Sequence, residues 1–206
     1  FNPVQGIMTW MSHPAQPSFV WQIYHYDLEP NASFFGVKKA CEPVNIQFNE
    51  KKGGIVQVIN NSPAALSGAT AKLSLYNLDG TQANQQDFAV QAPGSTATTL
   101  GQISWPASLS PVHFVKLELR SGDGKLLSDN FYWRSSQPKQ DDLTALETLP
   151  VQTIESKVIR RDVGNAEKEK VLLNVTLRNP GPQVALMAHL QLCRGKSRER
   201  VLPAYY

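Results

Sequence analysis

Residues 113–120 read HFVKLELR, and in this run Val115, Leu117 and Leu119 alternate with Lys116, Glu118 and Arg120. Successive side chains of a strand point to opposite faces, so the run predicts a strand with one buried and one solvated face, as antiparallel sheets use. The same period of two extends outward in both directions. From Val44 to Trp133 it recurs in seven segments, VNIQFN (44–49), GIVQVINN (54–61), ATAKLSLYN (69–77), QQDFAVQ (85–91), ATTLGQIS (97–104), HFVKLELR (113–120) and KLLSDNFYW (125–133). Asp79-Gly80 and Gly122-Asp123-Gly124 read as hairpin turns, because glycine supplies the positive φ such turns need. Seven strands in about ninety residues predict an immunoglobulin-like β-sandwich over residues 44–134.

Composition agrees with a β-rich chain and excludes several classes. The 206 residues include 14 Pro, 13 Gly, 12 Asn and 15 Gln, which suit short strands joined by turns. Lys and Arg number 20 against 17 Asp and Glu, a balance of +3 that gives no bias toward nucleic acid. No apolar run approaches the ~20 residues of a membrane-spanning helix. Cys41 and Cys193 are too few for a disulfide framework. The four histidines, His13, His25, His113 and His189, show no metal-ligand spacing, and G-x-S-x-G, Walker and GxGxxG motifs are missing, so no metal site and no cofactor is expected. Asn31, Asn60 and Asn174 open Asn-x-Ser/Thr triplets, as chance supplies in so Asn-rich a chain.

After the first sandwich, residues 135–150 form a polar linker that ends in a short helical turn, LTALETLP. Over 151–206 the β pattern resumes in TIESKVIR (153–160), KVLLNVTLRN (170–179), QVALMAHLQLC (183–193) and RERVLPA (198–204). An internal repeat relates residues 55–77 to 172–193 when Asn61 is laid on Asn179. Four strands predict an incomplete second sandwich, with its remaining strands expected beyond Tyr206. This region holds 10 basic and 5 acidic residues, and the charges of Arg194, Lys196, Arg198 and Arg200 alternate along an expected hairpin, which reads as one solvated face. Unfinished sheets leave open edges, so self-association or frayed ends is expected.

Residues 1–43 differ from the rest. GIMTWM (6–11) reads as one buried strand, and SHPAQP (12–17) as a turn. Pro17 then opens a predicted helix to Glu29, with Phe19, Ile23 and Tyr26 on one row and Val20, Tyr24 and Leu28 beside it. Pro30 stops it. Asn31 or Ser33 caps a second helix with the apolar row Phe34, Val37 and Cys41, and with Lys38 and Lys39 near its C-terminus. Asp27, Glu29 and Glu42 form no catalytic pair in this reading; a solvated or helix-dipole role is expected for each.

GIMTWM, MSHPAQPSFVWQIYHYDLEP (11–30) and SFFGVKKACEPVNIQFN (33–49) together resemble a junction in glycoside hydrolase family 2 enzymes of the β-mannosidase, exo-β-glucosaminidase and glycoprotein endo-β-mannosidase branch. There a TIM-barrel catalytic domain passes, through a Lys-Lys-Ala-x-Glu-Pro run, into an immunoglobulin-like domain; here the run is Lys38 to Pro43. The resemblance implies a mainly β chain: residues 1–43 as the last strand and helices of a TIM barrel, the sandwich at 44–134, the linker at 135–150, and part of a second sandwich at 151–206. It implies that Trp10, Ser12 and His13, at the C-terminal end of the last barrel strand, face a carbohydrate substrate, since active sites of such barrels lie there. It also implies a retaining β-glycosidase acting on terminal mannose, glucosamine or galactose, with two catalytic glutamates on earlier barrel strands outside these residues. The rest of the catalytic domain becomes a partner, the fragment alone is expected to be inactive, and a periplasmic or secreted location is favoured. The rival expectation is a non-catalytic carbohydrate-binding or adhesion module of immunoglobulin-like repeats, which calls for exposed aromatics on a sheet face or loop.

Overall fold

Seven antiparallel strands build the first sandwich: β1 (Val44–Asn49), β2 (Ile55–Asn60), β3 (Leu66–Asn77), β4 (Gln82–Ala92), β5 (Thr96–Gln102), β6 (Val112–Arg120) and β7 (Leu126–Ser135). In the computed structural model, which describes residues 8, 10–18, 22–50, 53–136, 142–163 and 171–202, they form two sheets ordered β1–β2–β5 and β4–β3–β6–β7. All seven predicted segments are strands. Across β3 and β6 the register sets Ala71 opposite Leu119, Leu73 opposite Leu117 and Leu75 opposite Val115, and all six side chains are buried. Ile46, Val56 and Val58 meet them from the other sheet. Each such aliphatic side chain contributes roughly 1.5–3 kcal/mol by leaving water, so this layer dominates the stability of the sandwich. Lys116 and Glu118 face outward, where they pair at 3.4 Å.

Strand β1 lies at the edge of its sheet, and edges with free backbone groups invite further pairing. Alternate side chains of β7 occupy that edge instead. Ile46 N–H donates to Ser128 Oγ at 3.3 Å, Asn130 Nδ2 donates to the Ile46 carbonyl at 2.6 Å, and Phe48 N–H donates to Tyr132 Oη at 3.2 Å. Because side chains two apart share a face, the S-x-N-x-Y spacing of Ser128, Asn130 and Tyr132 makes one polar ladder that joins the two sheets.

Asn60 is a fully buried polar residue at the end of β2. Its amide donates to the Ala64 and Ala92 carbonyls at 2.9 and 3.1 Å, and its Oδ1 accepts Ser62 N–H at 3.1 Å. Asn179 repeats this turn one residue after the strand Val171–Arg178, donating to the Gln183 carbonyl at 2.6 Å and accepting Gly181 N–H at 3.1 Å. The internal repeat is therefore structural, but its register equates Asn179 with Asn60, one position from the alignment on Asn61. The shared Asn-x-(Ser/Gly)-Pro spelling, 60–63 and 179–182, is the better guide because the i+2 and i+4 backbone bonds need that turn.

The linker contains a 3₁₀ helix, Thr144–Thr148, close to the predicted helical turn. Beyond it β8 (Glu155–Asp162) and β9 (Val171–Arg178) pair along their whole length, and β10 (Cys193–Arg194) pairs with β11 (Glu199–Arg200). One face of the β8–β9 ladder gathers Val158, Val171, Val175 and Leu177, all exposed. The predicted strand at 183–193 is corrected: residues 183–192 are irregular, because no strand lies beside them among the described residues to satisfy a ladder. Val184 instead runs past Gly80 in the β3–β4 turn, so close that a Cβ there would meet Val184 Cγ2 at 2.8 Å.

The N-terminal predictions divide. Helix α1 (Ala32–Ala40) forms where expected, with Asn31 as the cap: its Oδ1 accepts Ser33 N–H at 3.0 Å and Phe34 N–H at 3.3 Å. Its apolar row is not buried; Phe34 is half-covered by Tyr24 at a ring separation of 5.2 Å, while Val37 and Cys41 are exposed. The predicted helix over 17–29 is corrected over its described part. Phe19, Val20 and Trp21 lie outside the described residues, and Gln22–Glu29 is a loop closed by a bridge between Tyr24 and Pro30. The reason is local competition for backbone donors: Asp27 Oδ1 takes the Glu29 N–H at 3.2 Å, and Leu28 sits at φ +67°. Most of the predicted strand at 6–11 lies outside the described residues; Met8, Trp10 and Met11 are irregular and exposed rather than buried. Among the described residues before Val44 no strand forms, and α1 is the helix present there.

Candidate functional site

Trp10, Ser12 and His13 lie on an irregular, exposed stretch. Trp10 is 77% exposed, so its indole face is open to a ligand. This stretch is joined to the following loop by one backbone bond, in which Tyr24 N–H donates to the Ser12 carbonyl at 3.0 Å. The loop is held internally as well. His25 N–H donates to the Glu29 carbonyl at 2.9 Å, and Asn31 Nδ2 donates to the Gln22 carbonyl at 2.5 Å.

The fold adds a charged cluster that the sequence reading did not assemble. Glu29, expected on a solvated helix face, is buried, with its side chain only 9% exposed. Arg200, expected on the solvated face of a hairpin, ion-pairs with it through one guanidinium nitrogen and with Asp27 Oδ2 at 2.7 Å through the other. His189 Nε2 adds a hydrogen bond to Glu29 Oε1 at 3.1 Å. A buried carboxylate is tolerated when it is paired, and a planar guanidinium can reach two carboxylates at once. The readable signal was the i, i+2 spacing of Asp27 and Glu29 before Pro30: an extended segment sets such residues on one face, whereas a helix separates them.

His25, Asp27 and Glu29 also bring three donor atoms within 4.8 Å of one another, the one such group found among the described residues. Arg200 already meets both carboxylates, so its single positive charge offsets part of the negative charge that would draw a metal ion.

Elsewhere, a groove of about 450 Å³ lies between α1 and the β1–β7 seam, with Phe35, Lys39, Asn45, Gln47, Asp129 and Phe131 on its walls. Lys39 ion-pairs with Asp129 and, at 3.0 Å, with Glu42. Burial alone would lower the Lys39 pKa; the hydrogen bonds and charges of Asp129 and Glu42 outweigh it and raise it above its ordinary value.

Comparison with known proteins shows what these domains resemble. Residues 56–140 match the family model of the mannosidase Ig/CBM-like domain, and residues 130–206 that of the exo-β-D-glucosaminidase Ig-fold domain. An exo-β-D-glucosaminidase of Streptomyces avermitilis is 36% identical over 140 residues, which is 66% of this chain and 15% of that enzyme. One from Amycolatopsis orientalis is 35% identical over 139 residues, 66% of this chain and 13% of that enzyme. The aligned residues thus span about one-seventh of the length of these relatives. Among solved structures, a variant of the Amycolatopsis orientalis exo-chitosanase CsxA in complex with PNP-β-D-glucosamine superposes with a TM-score of 0.76 at 28% identity, covering 88% of this chain and 23% of that one.

Proposed function

Since residues 56–206 are immunoglobulin-fold domains of the exo-β-glucosaminidase and mannosidase type, we propose that the chain is the C-terminal accessory portion of a retaining exo-β-glycosidase of glycoside hydrolase family 2 that removes terminal β-D-glucosamine. The observation that carries this reading is the 36% identity to an exo-β-D-glucosaminidase across two-thirds of the chain. In a retaining glycosidase one carboxylate attacks the anomeric carbon while a second, ~5 Å away, protonates the leaving oxygen and later activates water. Asp27 and Glu29, tied up by Arg200, do not suit those roles. The chain alone is therefore assigned no hydrolytic activity.

Its contribution is to substrate contact and support. Trp10 offers its exposed indole to the apolar face of a sugar ring, with Ser12 and His13 placed to hydrogen-bond hydroxyls. The first sandwich supplies a well-packed base to which this N-terminal segment is joined through α1. The test is to express the complete enzyme that carries this chain and compare aryl β-D-glucosaminide, β-D-mannoside and β-D-galactoside. Preferential cleavage of the glucosaminide is expected; equal or greater activity on either of the others overturns the assignment.

One observation favours a second reading, non-catalytic sugar binding by the first sandwich: Phe35 and Phe131 are both exposed on the walls of the same groove, alongside Asn45 and Gln47 amides. Titration of the isolated chain with glucosamine oligosaccharides distinguishes the two, because this reading requires saturable binding that is lost in Phe131→Ala.

A further inference from the structure

We propose that Arg200 is a positioning residue, through which the C-terminal hairpin clamps the Gln22–Asn31 loop and so sets the place of Ser12 and Trp10. The inference rests on the reading of Trp10, Ser12 and His13 as sugar-contacting residues, and it extends that site to a residue nearly two hundred positions away.

The connection is continuous. Arg200 lies in β11, which is fixed by its pairing with β10 and by the Val201 N–H to Leu192 carbonyl bond at 2.8 Å. Its guanidinium takes hold of Glu29 and Asp27, on either side of the positive-φ residue Leu28, so it grips the loop at its tightest bend. The Glu29 carbonyl then accepts His25 N–H, and the neighbouring Tyr24 N–H donates to the Ser12 carbonyl. From the guanidinium to Ser12 there are only three polar links, each between groups held by the preceding one. His189 adds a second hold on Glu29 from the segment leading into β10.

Burial gives the clamp its strength. Glu29 is almost fully shielded from water, so without Arg200 its charge is left with the His189 hydrogen bond, and movement of the loop is what would bring it to solvent. A lysine in place of Arg200 could neutralise one carboxylate but not fork across two. The arrangement thus makes the second immunoglobulin-like region part of the sugar site without touching the sugar.

Hydrogen exchange at the Tyr24 and His25 amides of the full chain tests this directly, since both are donors in the chain of links. Arg200→Met is expected to accelerate their exchange at least tenfold while the β3 and β6 amides keep their rates. Arg200→Lys should recover part of the protection. Unchanged Tyr24 and His25 exchange in Arg200→Met overturns the clamp. In the complete enzyme, Arg200→Met should raise KM for an aryl β-D-glucosaminide about tenfold and alter kcat less than threefold; faster exchange with an unaltered KM overturns the positioning role. If the unmodified enzyme leaves the glucosaminide uncleaved, the glucosaminidase reading fails, and the exchange rates alone then decide the clamp.

Discussion

Ser128 donates its hydroxyl hydrogen to Glu42 Oε2 at 2.6 Å, across 86 residues of sequence. The same Ser128 oxygen accepts Ile46 N–H, and Glu42 also receives Lys39 Nζ at 3.0 Å and, more weakly, Asn45 Nδ2 at 3.4 Å. The Lys-Lys-Ala-x-Glu-Pro run that marks the entry to the first sandwich is thus a physical joint: its lysine and glutamate anchor the end of α1 to β1 and β7. A segment whose two charged residues must both find partners fixes the angle at which the N-terminal part leaves the sandwich.

Ser128→Ala is expected to destabilise the first sandwich by roughly 1–3 kcal/mol, because the Ile46 N–H loses its acceptor and Glu42 a donor. Denaturant titration followed by tryptophan fluorescence measures it. A change within a few tenths of a kcal/mol would show that water replaces the hydroxyl without cost.

Acid should weaken this sandwich in two stages. Burial holds the His113 imidazole below its ordinary value of 6.5, helped by the charge of Arg134 and opposed by its bonds to the Ser110 and Pro111 carbonyls. The unfolded chain therefore binds more protons as pH falls below 6.5, and stability declines from there down to the folded-state value. Burial works to raise Glu42, but the Ser128 and Lys39 hydrogen bonds and the Lys39 charge outweigh it and depress its pKa below 4.5, so its contribution is present above that pH and is lost below it. Thermal melts from pH 8 to 3 should show both declines. His113→Gln should remove the first and Glu42→Gln the second; retention of either slope in its variant contradicts the assignment.

Asn60→Leu should cost several times more than a surface change, about 1–3 kcal/mol, because the buried Ala92 carbonyl loses the Asn60 donor and the Ser62 N–H its side-chain acceptor. Gly94→Ala tests the same corner from the other side. A Cβ at residue 94 would sit 2.1 Å from the Pro63 carbonyl oxygen, so the β4–β5 turn must move, and a loss of about 1–3 kcal/mol is expected. Melting temperatures within 1 °C of the parent for both variants would show that this corner carries no such constraint.

Trp10→Ala in the complete enzyme is expected to raise KM for the aryl glucosaminide about tenfold, consistent with losing the ~0.5–1.5 kcal/mol of one aromatic contact. Because Trp10 is largely exposed in these 206 residues, the melting temperature of this chain by itself should not change. Altered melting with unaltered KM would assign the indole to packing instead of substrate.

Alternation alone made the first sandwich legible. Where a strand is half-buried, as in β6, the contrast between Leu117 and Glu118 is written into adjacent letters, and turn residues such as Asp79-Gly80 divide one strand from the next. The Asn31 cap was equally local, since it depends on a side chain and the two backbone donors that follow it. The loop at 22–31 was not, because its apolar spacing favours a helix while Asp27 and Asn31 divert backbone groups to their own side chains. Nor was the fate of residues 183–192, whose alternation fits a strand but which pair with no strand among the described residues.

Periodicity, turns and caps are short-range properties, and the amino-acid order by itself determined them: a two-sheet β chain, its helix start, and the family resemblance at Lys38–Pro43. Which charges meet is a long-range property. Ser128 with Glu42, and Arg200 with Asp27 and Glu29, are joined across 86 and more than 170 residues, and no local pattern encodes such a meeting. Only the packing of the sheets and the course of the C-terminal segment decided it, because a carboxylate shut away from water must take whatever cation the fold brings within reach.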